Sequence, residues 1–333
     1  MNIYDVSSKA GVSIATVSRV MNGNTNVSEK TRMKVLKVME EIGYTPNVFA
    51  RGLGLNTMKT IGIMCTDSSD LYLANAVYFL ERELRKNGYD SILCCTGENL
   101  ENKKQYLNLL ISKRVDALIL IGSKFIESFD SDNAYILEAA KNIPIMLVNG
   151  ILSGTNIYST LCQEEDAIFN VTKTLISNNK KNIVYLYSAD TDGAHRKLEG
   201  FRKAHFVHDM PIKADYCKQC KNHYQSALDH LEYMYKLSLP IDAIITSDDY
   251  LAVGALKFAR EHSINVPSDL EVVGFNNSIL AECTQPTLSS IDSKVESLCI
   301  TTVGNLMGIF EGALAPDKTF IPTQIVKRET TIF

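Results

Sequence analysis

Cys217 and Cys220 are separated by two residues, with His223 close behind, a spacing that suits thiolate ligation of zinc. A structural zinc site needs four ligands, and no second pair completes the set, so incidental cysteines are the better reading. The other cysteines are scattered at 65, 94, 95, 162, 283 and 299, which is no disulfide framework in a chain of 333 residues. The six histidines are dispersed, and no phosphate-binding loop, nucleophile elbow or zinc-protease motif occurs. The expectation is a protein with no catalytic residue, no metal and no cofactor. What remains is binding chemistry. Arg19 can donate two parallel hydrogen bonds to guanine O6 and N7, and the fork of Arg196 suits hydroxyl, carboxylate or phosphate oxygens.

With 45% hydrophobic and 22% charged residues, the chain reads as an ordinary globular protein of two or three domains. Its net charge of −4 argues, as an average, against a nucleic-acid partner. The average hides an asymmetry. Residues 1–60 hold eight Lys/Arg against four acids, a net of +4, which leaves 26 basic and 34 acidic residues beyond, a net of −8. No apolar run approaches the roughly 18–20 residues of a membrane helix. The opening MNIYDVSSKAGVS lacks the basic-then-apolar order of a secretion signal, so the reducing cytoplasm is the expected compartment.

The elements that must position Arg19 come next. Ile3, Val6, Ser7 and Ala10 recur at helical spacing until Gly11 stops the helix, and Ser13 can cap a second helix reaching about Asn22. On that helix Val17, Val20 and Met21 share one side, with Thr16 and Arg19 on the other. Ser28 can cap a third helix that ends at Gly43. This is the pattern of a helix-turn-helix, whose second helix fits a DNA major groove. Periodicity alone fits equally a three-helix bundle used for dimer contacts.

The spelling adds to the pattern. IYDVSSKAGVSIATVSRVMNG and VSEKTRMKVLKVMEEIGYTPNVFARGL closely resemble the DNA-binding region of the lactose-repressor (LacI/GalR) family, without a gap over about 55 residues. Gly11 and Val17 match its turn glycine and buried valine; Ser7 stands where alanine is usual. The resemblance implies that Ile14, Ala15 and Arg19 face the groove, and that Ser13, Thr16, Ser18, Asn22, Tyr44 and Asn47 touch phosphates, which set register without reading sequence. Residues 46–55 match the family's hinge helix, in which Leu53 is a minor-groove wedge and Ala50 packs on the mate or the groove floor. About eight residues make a marginal helix, and Gly52 and Gly54 weaken it further, by up to ~1 kcal/mol each. Such a hinge is expected to order only when paired with its dimer mate on DNA.

Beyond residue 60, apolar runs at 61–65, 91–95, 117–122, 145–148, 183–187, 243–246 and 271–274 read as strands. Helix-like stretches lie between them, at 73–87, 103–113, 166–178, 226–237 and 251–262. The alternation predicts doubly wound parallel sheets, with ligands at the carboxyl ends of the strands. The family resemblance continues more weakly through KTIGIM, HRKLEGFRKA, SDDYLAVGALK and VPSDLEVVGFNNS. It implies an α/β architecture: an all-α helix-turn-helix head over residues 1–45, a hinge over 46–59, and a periplasmic-binding-protein-like core over 60–333. The core would divide into subdomain one, about 60–158 and 288–317, and subdomain two, about 159–287 and 318–333.

By the same resemblance Asp67, Tyr72, Asn149, Arg196, Asp248, Phe275 and Asn276 line an effector pocket. Arg196 takes the role of the family's effector-binding arginine, unless it pairs with an acid such as Asp190 or Asp192. Asn276 stands where the family usually has aspartate, Gln163-Glu164-Glu165 replaces its usual Asp-Asn pair, and tryptophan, a common sugar platform, is absent. The expected function is a repressor that binds a near-palindromic operator as a homodimer, with a sugar or related polar metabolite as effector. With no added leucine heptad before Phe333, a dimer is expected over a tethered tetramer. A plain solute-binding protein would lack residues 1–55. A regulator controlled by a protein partner or by cysteine chemistry is the alternative.

Overall fold

The computed structural model describes residues 2–22, 26–44, 57–188 and 190–333. The head consists of α1 (Ile3–Ala10), α2 (Ile14–Met21) and α3 (Glu29–Glu41). Each starts where a side chain satisfies its free amides. The Asn2 side chain accepts from Tyr4 and Asp5, while Ser13 and Ser28 accept from Thr16 and Thr31. Gly11 ends α1 at φ 59°, a conformation that glycine adopts without strain. Val6, Ala10, Val17, Val20, Val35 and Ile42 form the head's core.

The core is built on two six-stranded sheets. The first contains β1 (Thr60–Cys65), β2 (Asp90–Cys95), β3 (Ala117–Ile121), β4 (Ile145–Val148), β5 (Ile157–Cys162) and β11 (Lys318–Ile321), in the order β11-β5-β4-β3-β1-β2. All its pairings are parallel. The second contains β6 (Ile183–Tyr187), β7 (Cys217–Gln219), β8 (Ala243–Thr246), β9 (Glu271–Phe275), β10 (Ser289–Asp292) and β12 (Gln324–Val326), in the order β12-β10-β9-β8-β6-β7. Here β12 runs antiparallel to β10 and the rest are parallel.

Helices connect the strands: α4 (Leu71–Lys86), α5 (Leu100–Ser112), α6 (Ala134–Ala140), α7 (Glu164–Ser177), α8 (Asp192–Val207), α9 (Tyr224–Lys236), α10 (Asp249–Glu261), α11 (Ile279–Cys283) and α12 (Val295–Phe310). Apolar clusters cover both faces of each sheet, as parallel strands require.

The chain crosses between sheets three times, each time later than the sequence suggests. β5 belongs wholly to the first sheet, so the first crossing follows Cys162 and not residue 158. β10 completes the second sheet before α12 packs on the first, which moves the second crossing from 287/288 to just after Asp292. β11 pairs with β5, which moves the third from 317/318 to between Ile321 and Gln324. A strand that extends a sheet keeps its ladder bonds, so the chain turns away only after the strand ends.

Candidate functional site

In the head, Val17 and Val20 anchor α2, which leaves Ile14, Ala15 and Arg19 exposed on its outer side. Arg19 forms no ion pair among the described residues. Ser13 and Thr16 cap the helix, with Thr16 N donating to Ser13 Oγ over 3.2 Å and the two hydroxyls 2.9 Å apart. Ser18 and Asn22 are half-buried at its far end, and Tyr44 packs on the head's core while its N–H donates to Met39 O. Asn47, Ala50 and Leu53 lie outside the described residues.

The second site is a cavity of about 370 Å³ where the two subdomains meet, at the carboxyl ends of the strands. Five of the seven expected residues line it: Asp67, Tyr72, Asn149, Asp248 and Asn276. Asp67 accepts from Ser69 N and Oγ at 2.8 and 2.7 Å, and these bonds hold its carboxyl below the ordinary range. Asn149, at φ 57°, donates from Nδ2 to the Tyr72 hydroxyl over 2.5 Å, and its Oδ1 accepts from Cys162 N, which ties β4 to β5. Asp248 caps α10 through Leu251 N and accepts from Ser188 and Ser247 hydroxyls at 3.0 Å. Asn276 sits at φ 91°, its N–H bonded to Ile291 O.

Two expected residues are elsewhere. Arg196 does not reach the cavity wall; its guanidinium pairs with Asp192 and, at 2.8 Å, with Glu164, a carboxylate only 5% exposed. Its neighbour Lys197 takes the inner position, with Nζ 3.2 Å from Ser247 O and 3.6 Å from Glu164 Oε1. The reason is helical phase. A Cβ at Gly200 would stand 2.2 Å from Glu165 O, so α8 lies flush on α7, and Gly193, Ala194, Lys197, Gly200 and Phe201 share the inner face. Arg196 is about 100° away around the helix. Counting three and four residues back from Gly200 and Phe201 would have picked out Lys197. Phe275 is the second correction. It is fully buried in the core of the second subdomain, its ring covered by the Lys197 ammonium at 4.0 Å.

The wall also holds residues that pattern reading missed. Ser123 Oγ donates to Thr191 Oγ1 over 3.0 Å and joins the two subdomains across the cavity. Glu98 neutralises Lys124, and Glu164 faces both Arg196 and Lys197. These residues lie on loops and helix starts, where no periodicity marks them.

Cys217 lies on edge strand β7 and Cys220 is buried; burial pushes both thiols up. Among the described residues no group of three His, Cys, Asp or Glu is arranged to hold a metal ion, and no helix is long and apolar enough to cross a membrane.

Residues 2–47 match the profile of bacterial regulatory proteins of the lacI family, and residues 172–331 match a periplasmic binding protein-like domain. An HTH-type transcriptional regulator of Lachnoclostridium phytofermentans is 54% identical over 333 residues, all of both chains. Catabolite control protein A of Priestia megaterium is 31% identical over 294 residues, 87% of each chain. The solved structure of the lac repressor dimer bound to operator and the anti-inducer ONPF superimposes with a TM-score of 0.89 at 25% identity, covering 99% of this chain and 98% of that one. The chain belongs to the lacI family of bacterial regulatory proteins, and is a DNA-binding regulator of transcription, not an enzyme.

Proposed function

We propose that the protein is a homodimeric repressor whose heads bind the half-sites of a near-palindromic operator and whose cleft binds an uncharged, hydroxyl-rich effector. In the head, Arg19 reads a guanine, Ile14 and Ala15 touch thymine methyls, and Ser13, Thr16, Ser18, Asn22, Tyr44 and Asn47 fix register on phosphates. Ala50 and Leu53 act in the paired hinge, where Leu53 opens the central base step. The lac repressor, whose fold this chain shares, is a dimer when bound to its operator, which supports the dimeric reading.

One observation carries the effector class. Asp67, Asn149, Asp248 and Asn276 converge on the cavity, while both lysines of its wall already face carboxylates, Lys124 with Glu98 and Lys197 with Glu164. Acceptors and amides without an uncompensated cation suit hydroxyl groups and repel phosphate esters. Ligand binding shifts DNA affinity only through unequal affinity for two arrangements of the subdomains. Control by cysteine chemistry is not favoured, because Cys217 and Cys220 are held as thiols by burial. Calorimetry with sugars, sugar phosphates, nucleosides and small acids tests the class. Neutral sugars should bind and their phosphates should not; a phosphate ester that binds more tightly overturns it.

A further inference from the structure

A separate cavity of about 360 Å³ opens at the far end of the second sheet from the cleft. It lies at the amino end of β6, where Lys181, Asn182 and Ile183 meet the last turn of α8 and the segment 210–216 that leads into β7. α8 borders both cavities, with Gly193, Ala194 and Lys197 at the cleft and His205 here, and from Gly193 to His205 the helix rises ~18 Å. The two walls are opposite in charge. Asp67, Asp70, Glu98, Glu164 and Asp248 line the cleft. No acid lines the second cavity, and neither of its lysines, Lys181 and Lys213, forms an ion pair among the described residues.

The interior is mostly apolar. Ile183, Met210, Pro211 and Ile212 supply aliphatic surface. The Tyr216 hydroxyl donates to Pro240 O over 2.6 Å, so this residue offers the cavity its ring, with Lys213 Nζ 5.3 Å from the ring centroid. His205 is the buried polar group of the wall, only 4% exposed. Its Nδ1 lies 3.0 Å from Phe201 O, and a carbonyl only accepts, so Nδ1 carries the hydrogen and Nε2 a lone pair. Desolvation lowers the pKa of His205 and keeps the ring neutral at pH 7. Nε2 has no partner among the described residues. Buried polar atoms are nearly always paired, so an unpaired acceptor in a cavity wall marks where a ligand donor would sit.

We infer that this cavity is a second ligand site, built for a small aromatic acid: Lys181 and Lys213 pair with its carboxylate, the aliphatic wall and the Tyr216 ring cover its flat body, and His205 Nε2 accepts from a hydroxyl or N–H on the ring. The site stands independently of the reading of the cleft. Phenols and indoles suit it because they carry one polar tip on an otherwise apolar body. The acids that line the cleft repel the charge that this cavity attracts, so the two sites select different ligands.

Calorimetry on the full-length protein tests the site with 4-hydroxyphenylacetate and indole-3-acetate, set against 4-hydroxyphenylacetamide and phenylacetate. 4-Hydroxyphenylacetate should bind about tenfold more tightly than its uncharged amide, a difference of about 1.4 kcal/mol. The double variant Lys181→Ala and Lys213→Ala, at two exposed positions, should cut that ratio below about threefold. Phenylacetate, which lacks the ring donor, should bind at least about threefold more weakly than 4-hydroxyphenylacetate to the wild type, and His205→Phe should erase the difference. The wild-type comparison of the two acids stands even if that variant fails to fold. An amide that binds as tightly as the acid, or a preference for the acid that survives the double lysine substitution, would overturn the inference. Failure of both 4-hydroxyphenylacetate and indole-3-acetate to bind at about 5 mM, to protein that still unfolds cooperatively on heating, would overturn it as well.

Discussion

Arg19 on α2 and Arg196 on α8 are both helix residues, yet the head and the core use them in opposite ways. Arg19 is exposed and faces no carboxylate among the described residues, so its charge is available to a partner. Arg196 is held between Asp192 and buried Glu164, and the cation beside it, Lys197, shares Glu164. The head thus presents positive charge, while the cleft neutralises its own and presents acceptors. A polyanion and an uncharged ligand are told apart by this difference more than by fold.

The largest expected effect breaks the neutralised side. Glu164→Gln leaves Arg196 and Lys197 facing each other with their common acid removed, and should cost about 3 kcal/mol in urea denaturation, since both cations are mostly buried. A loss under about 0.5 kcal/mol would mean that water already compensates them, and would return Arg196 to the candidate ligands. Next comes the exposed side. Arg19→Ala should cost ~1–3 kcal/mol at its cognate base and relax specificity there. Equal losses on operator and random DNA would make it a phosphate contact instead.

A smaller effect concerns Asp249, beside the cleft. It accepts from Ser290 Oγ at 2.5 Å and from Ser278 N and Oγ at 2.6 and 2.8 Å, but burial outweighs these bonds and its pKa is pushed up to about 6. The unfolded carboxyl titrates lower, so between the two values the folded state holds more protons and this group's contribution grows as pH falls. From pH 7 to pH 5, wild type should gain about 1 kcal/mol over Asp249→Asn in thermal unfolding. The comparison with the variant is needed because buried His205 and His230, lowered by desolvation, act in the opposite direction. A constant difference across that range would show that Asp249 is charged throughout.

Legibility in the sequence followed the same division. The helices of the head could be read almost to the residue because Ser13, Ser28 and Gly11 are chemical stops and starts. Strands at 145–148, 183–187 and 243–246 were equally plain, since strands buried on both faces read as unbroken apolar runs. β10 was not, because its buried serines are satisfied by Asp249 and Thr331 and leave no hydrophobic signal. β7, β11 and β12 are short and at or near sheet edges, with polar residues in each. In the cleft, five residues followed from motif position, whereas Lys197 in place of Arg196 depended on how closely α8 packs on α7. That is a tertiary fact which a motif does not record.

The proposed link between an exposed DNA-reading head and a cleft for an uncharged ligand is tested most directly by operator affinity measured with and without a cleft ligand. Fluorescence anisotropy of labelled operator, titrated with full-length protein in the presence of whichever sugar binds in calorimetry, should show a shift in Kd of at least about fivefold, the lower end of ordinary allosteric coupling. An operator Kd unchanged at saturating sugar would contradict the link.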